Sequence, residues 1–127
     1  MKKKVMALVL LALMVTGLVG CGSDNNASKS EEGKLKVGMV TDTGTIDDKS
    51  FNQGTWEGIK EAEKSFGLET TFMQPNGESE SSYLTEIQNL YDSGYKFIVT
   101  PGYKFETAIY KAQSQYEDAK FVLIDGE

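Results

Sequence analysis

The 127-residue chain carries 13 basic residues, all of them lysine, against 19 acidic ones, and it has no histidine. A net charge of -6 repels phosphate backbones and excludes nucleic acid as an expected partner; the lack of histidine removes the commonest general base and the commonest metal ligand. A single cysteine excludes an internal disulfide.

The chain begins with a leader. Residues 2–4 are Lys-Lys-Lys, and Met6 to Val19 is apolar except for Thr16 and Gly17. This run is shorter than the roughly 20 apolar residues of a membrane span, and a basic start before a short apolar run reads as a secretion signal. Leu18-Val19-Gly20-Cys21 resembles the lipobox of bacterial lipoproteins, in which cleavage precedes a cysteine that then receives diacylglycerol. Two or three acyl chains on Cys21 would anchor the chain stably, where one alone holds only marginally. Residues 22–33 contain one apolar side chain, Ala27. They cannot bury a core and read as a flexible tether. The expected organisation is a signal peptide over 1–20, a lipidated cysteine and tether over 21–33, and a folded part over 34–127. Losing Lys2, Lys3 and Lys4 with the leader takes the net charge to about -9.

Leu35 to Thr41, apolar and β-branched, predicts the first strand. The first helix is expected from Ser50, where Ser50 and Gln53 fit a capping box. Thr55, Ile59, Ala62 and Phe66 then follow helical spacing, with Gly67 in the place of a C-terminal glycine. Leu68 to Met73 predicts the second strand, and Pro75-Asn76-Gly77 a turn. A second helix is expected over Ser81–Asp92, with Leu84, Ile87 and Tyr91 inward. Phe97–Thr100 predicts the third strand, stopped by Pro101-Gly102. A third helix is expected over Phe105–Tyr116, with Ala108, Ile109, Ala112 and Tyr116 inward. Phe121–Ile124 predicts the fourth strand. Strand and helix alternate in units of about 30 residues, which requires βαβ crossovers and hence a parallel sheet covered by helices. The near-continuous apolar strands agree with burial on both faces. With no helix after the fourth strand, the expectation is part of a lobe rather than a whole one.

In open α/β sheets, ligands sit beyond the carboxyl ends of the strands. Asp42 stands at the tip of the first strand, and Phe51 and Asn52 lie in the first turn of the helix that follows. A carboxylate, an aromatic face and an amide converging on one crevice suit a planar, hydrogen-bonding solute stacked on Phe51. Asp125 ends the fourth strand. Thr43, Gly102 and Tyr103 stand where they could line the cleft. Asp47 and Asp48 read as loop or pre-cap carboxylates, Trp56 as helix packing, and the tyrosines mostly as sheet–helix packing.

The run Gly38-Met39-Val40-Thr41-Asp42, then Ile46-Asp47-Asp48-Lys49-Ser50-Phe51-Asn52-Gln53-Gly54 and Trp56-Glu57-Gly58, resembles the opening of the BMP family, the basic-membrane-protein or PnrA-like lipoproteins. Ile98-Val99-Thr100-Pro101-Gly102-Tyr103 resembles the family's third strand end, and Lys120-Phe121 with Ile124-Asp125 its fourth. The resemblance implies a two-lobed type I periplasmic-binding-protein fold, of which this chain would be part of the N-terminal lobe. It also implies a substrate-binding component of an ABC importer for nucleosides, working with a permease and ATPase at the outer face of the cell membrane. By position, it implies that Phe51 stacks on the base, Asp42 and Asn52 hydrogen-bond it, and Asp125 accepts from the ribose. The contacts of the second lobe lie outside this sequence.

Competing readings remain at this point. Phe51 could be a staple at the helix start, Asp42 a turn residue, and Asp125 a solvated carboxylate. Sugar or signal-molecule receptors of the same fold also pair aromatic rings with carboxylates, and a non-transport surface lipoprotein would retain the fold. Thr41–Ile46 faintly resembles the flavodoxin phosphate loop but has Ile46 where a hydroxyl is wanted. Receiver domains need an aspartate at the third strand tip, where this chain has Thr100-Pro101-Gly102. No nucleophile–base pair and no metal cluster is visible, so neither an enzyme, a cofactor nor a metal is expected.

Overall fold

The computed structural model describes residues 33–127; the signal peptide, Cys21 and the tether through residue 32 lie outside the described residues. The chain runs β1 (Lys36–Val40), α1 (Phe51–Phe66), β2 (Glu69–Met73), α2 (Glu80–Asp92), β3 (Phe97–Pro101), a short 3-10 turn (Tyr103–Phe105), α3 (Glu106–Gln115) and β4 (Lys120–Ile124). The four strands form one parallel sheet in the order β2-β1-β3-β4. The fold class is therefore α/β, as the alternation predicted.

Strand pleat divides the core into two layers. Val37 and Met39 of β1 and Val99 of β3 pack with Ile59 of α1, flanked by Trp56, Phe72, Phe97 and Ile124. The alternate residues Val40 and Ile98 point the other way, into a larger cluster with Tyr83, Ile87 and Leu90 of α2 and Ala108, Ile109 and Ala112 of α3. This two-sided burial is why β1 and β3 read as unbroken apolar runs. A right-handed crossover puts α1 on one face because β1→β2 runs one way, and α2 and α3 on the other because β2→β3→β4 runs back. Gly38 lets α2 close on β1: a Cβ there would lie 2.8 Å from the Leu90 side chain.

Several local expectations shift. Ser50 is the N-cap of α1 but makes no side-chain capping bond. Asp48 replaces it, accepting from the backbone N–H of Ser50 at 2.8 Å and of Gln53 at 3.1 Å. Gln53 reaches back one residue further than a capping box requires, accepting from the Lys49 N–H at 3.0 Å. The inward face of α2 is Tyr83-Ile87-Leu90, with Leu84 and Tyr91 only half-buried. Phe66 is 78% exposed on the last turn of α1, where the Gly67 N–H closes the helix onto the Glu63 carbonyl from a left-handed conformation. Trp56 packs edge-on against Phe72, with ring centroids 5.2 Å apart, as helix packing predicted. No helix among the described residues is long and apolar enough to cross a membrane.

Candidate functional site

The strand order creates a switch point. From β1 the chain departs toward β2, then returns through α2 to β3 on the opposite side of β1. The crevice above the adjacent ends of β1 and β3 is where an open α/β sheet receives a ligand, and it is bordered by Asp42 and Gly102.

The β1–α1 loop is shaped by two carboxylates and one amide. Asp42 Oδ1 accepts from the Gly44 N–H at 2.7 Å and from Asn52 Nδ2 at 2.6 Å. The Asp42 N–H donates in return to Asn52 Oδ1 at 3.1 Å. Asn52 Nδ2 also donates to Asp48 Oδ2 at 2.7 Å. Both amide hydrogens of Asn52 are thus engaged inside the loop, and its side chain is buried at 1% exposure; in this arrangement only one lone pair of Oδ1 is left over. Gly44 makes this closure possible, because a Cβ there would lie 2.5 Å from Asn52 Nδ2 and 2.9 Å from Asp48 Oδ2. Burial opposes ionisation of Asp48, but the backbone N–H groups of Gln53 and Ser50 and the Asn52 amide outweigh it and hold the carboxyl below its ordinary value.

Phe51 is 54% exposed. Its ring borders an open hollow of about 500 Å³ together with Ser50, Gly54, Thr55 and Ile124. Ile124 ends β4 and accepts a hydrogen bond from the Gly102 N–H at 2.7 Å, so the β3 and β4 ends are tied directly. Asp125 follows, exposed, with a left-handed φ of 59°. The structure therefore unites Asp42 and Asn52 in one network, and sets Phe51 beside Ile124, the residue before Asp125. It does not place Asp42 among the residues that line the hollow under Phe51.

A second polar group bridges three loops. Glu78 Oε1, before α2, accepts from Thr43 Oγ1 at 2.6 Å and from Lys104 Nζ at 2.7 Å. The Lys104 and Thr43 donors lower the Glu78 pKa, and Glu78 raises that of Lys104. Tyr103 stands 66% exposed on the same rim. Beneath lies Tyr83, 1% exposed, its ring tilted against Phe105 with centroids 4.2 Å apart. Burial, then the Glu78 charge, pushes its pKa up.

Sequence reasoning passed over Glu78 and Lys104, read Tyr83 only as packing, and read Asp48 only as a loop or pre-cap carboxylate, the place at the helix start that it does take. For Asp48 the signal was an acidic side chain just before the helix start. Tyr83 shares helical spacing with Ile87 and Leu90 and was legible as core, though not as site. Glu78 and Lys104 are 26 residues apart, and nothing local pairs them. Among the described residues, no group of three or more His, Cys, Asp or Glu side chains could hold a metal ion.

Comparison with known proteins identifies the family. A family model described as ABC transporter substrate-binding protein PnrA-like matches residues 35–127. The chain is 35% identical over 136 residues to the CD4+ T-cell-stimulating antigen of Listeria innocua, covering 98% of this chain and 38% of that protein. It is 35% identical over 132 residues to the ABC transporter nucleoside-binding protein BmpA of Lactococcus lactis subsp. cremoris, covering 98% and 37%. The crystal structure of an ABC transporter solute-binding protein from Aeropyrum pernix K1 superposes with a TM-score of 0.65 at 26% identity, over 73% of this chain and 25% of that one. The chain thus spans little more than a third of the length of the curated relatives it matches. By the family model and by these relatives, it belongs to the PnrA-like family of ABC transporter substrate-binding proteins.

Proposed function

We propose that residues 34–127 form part of the first lobe of an extracytoplasmic, two-lobed solute-binding lipoprotein, and that the protein captures a purine nucleoside for an ABC permease and ATPase. The signal peptide over 1–20 directs export. Acylation of Cys21 then holds the protein at the outer face of the cell membrane, with residues 22–33 as the tether. Binding is non-covalent, and closure of the two lobes about a hinge traps the solute.

The observation that carries this reading is the division of labour in the β1–α1 loop. Asp42 Oδ1 is fixed by Gly44 and Asn52, while among the described residues nothing bonds to Oδ2. One residue before Asn52, the Phe51 ring opens onto the hollow. A carboxylate held at the end of β1 with one oxygen left over, and an exposed aromatic face carried by the helix that its loop leads into, are the two features that a base which stacks and donates from its edge would use. Asn52 contributes through the loop it holds and through its remaining lone pair, and Asp125 offers an acceptor for a ribose hydroxyl. Thr43, Gly102 and Tyr103 border the cleft. The name of the Lactococcus relative, nucleoside-binding, points to the same solute class.

The test is calorimetric titration of the full-length protein with guanosine, inosine and a panel of sugars. Phe51→Ala should weaken nucleoside binding by about 1–3 kcal/mol, the usual worth of base–aromatic stacking. Unchanged nucleoside affinity in that variant, or binding of sugars alone, refutes the proposal.

A further inference from the structure

The hydroxyl of Tyr83 is the one side-chain polar atom among the described residues that is buried without a hydrogen-bond partner. The other buried polar side chains are all satisfied: Thr41 donates to the Asp42 carbonyl, Thr100 to the Val122 carbonyl, and Asn52 within its loop. A buried, unpaired hydroxyl opposes folding. Phenylalanine would fill the same space without that cost, as the neighbouring Phe105 does.

Its place in the fold sets it toward the carboxyl ends of the strands. Leu90 of α2 packs over Gly38 in the middle of β1. Tyr83 lies two turns earlier on the same helix face, about 10 Å nearer the carboxyl end of the sheet. Its ring packs on Phe105, just after β3. The ring therefore packs on the α2–α3 face of the sheet, in one cluster with Val40 at the end of β1 and Phe105 just after β3. The charged groups acting on its hydroxyl are Glu78, Lys104 and Asp42, all on the cleft side. The Glu78–Lys104 pair and the Thr43 bond above it are exposed, and such surface contacts open at little cost.

We propose that the Tyr83 hydroxyl is a hydrogen-bonding subsite on the floor of the cleft, which reads a polar group of the bound solute directly or across one water. Its role as a specificity-determining residue rests on the solute-binding reading above. The folded domain tolerates the unpaired hydroxyl because the solute supplies its partner.

The test is Tyr83→Phe in the full-length protein, with thermal unfolding measured alone and with nucleosides and sugars, beside Phe51→Ala. Without solute, the variant should unfold at the same temperature as the parent or higher. Its affinity for the solute that stabilises the parent should fall about three- to tenfold, the worth of one neutral hydrogen bond. A drop of several degrees in the solute-free unfolding temperature overturns the inference, since the hydroxyl would then be bonded within the fold. So does unchanged solute affinity in Tyr83→Phe where Phe51→Ala weakens binding, an outcome that leaves the nucleoside reading standing. If nucleosides fail to stabilise the parent protein, that reading falls instead. The solute-free comparison and any sugar that does bind then decide the role of Tyr83.

Discussion

Asp42 and Asn52 hold each other twice: Asn52 Nδ2 donates to Asp42 Oδ1 at 2.6 Å, and the Asp42 N–H donates to Asn52 Oδ1 at 3.1 Å. The two residues stand ten apart in sequence, so this clasp closes the whole loop between β1 and α1. Asn52→Ala removes both bonds and leaves buried groups unpaired. We expect a loss of about 1–3 kcal/mol of stability, measured by urea unfolding. A loss below about 0.5 kcal/mol, the range of an ordinary surface change, would contradict the clasp.

Two glycines should respond in opposite directions to the same substitution. Gly44→Ala drives a methyl into Asn52 and Asp48 and should destabilise by about 1–3 kcal/mol, the usual range for overpacking. Gly58 lies inside α1, and nothing among the described residues stands within 4 Å of a Cβ there. Gly58→Ala should therefore stabilise this chain by about 0.5–1 kcal/mol, through helix propensity alone. Denaturation midpoints of the two variants, compared with the parent chain, check both signs.

Phe51 separates binding from folding. Because the ring is 54% exposed, Phe51→Ala should change stability by no more than about 0.5 kcal/mol, even as nucleoside affinity falls. Loss of cooperative unfolding in this variant would instead make the ring a packing element, the staple that the sequence also allowed.

The acid limb of the stability curve should carry the mark of Asp48. Its carboxyl titrates below its ordinary value of 3.8 in the folded state, so at low pH the unfolded chain binds more protons than the folded one. The resulting stability is present above pH 3.8 and is lost as pH falls through the lower, folded value. Asp48→Asn should flatten that part of the curve, while Asp48→Ala should lose about 1 kcal/mol near neutral pH, as a lost helix cap does. Thermal unfolding from pH 2 to 7 distinguishes the three proteins. A parallel acid limb in Asp48→Asn would remove Asp48 from the account.

Much was legible before any coordinates. Val37, Met39 and Val40, and Ile98 with Val99, announced strands buried on both faces, because a parallel sheet between two helical layers leaves no polar side. The regular helix–strand spacing required parallel crossovers, and the cluster around Phe51-Asn52-Gln53 carried the family resemblance that the family model and the relatives then supported. Ser50 is the N-cap of α1 but does not make the capping bond expected of it, although a serine followed three residues later by a glutamine satisfies the local rule. A carboxylate two residues upstream competes better, because it is charged and reaches two N–H groups at once.

What the sequence by itself determined is therefore local and periodic: element types, the buried face of each strand, the parallel sheet, and the loops that carry Asp42 and Phe51. Only the tertiary structure decided that β3 returns beside β1 and makes a switch point. It alone showed that Glu78 ties loops 26 and 35 residues away in sequence, and that the buried Tyr83 hydroxyl has no hydrogen-bond partner among the described residues. The physical reason is that periodicity records which side of an element is buried, whereas the partners of a polar group depend on which strand ends become neighbours. That is settled by packing across the whole sheet.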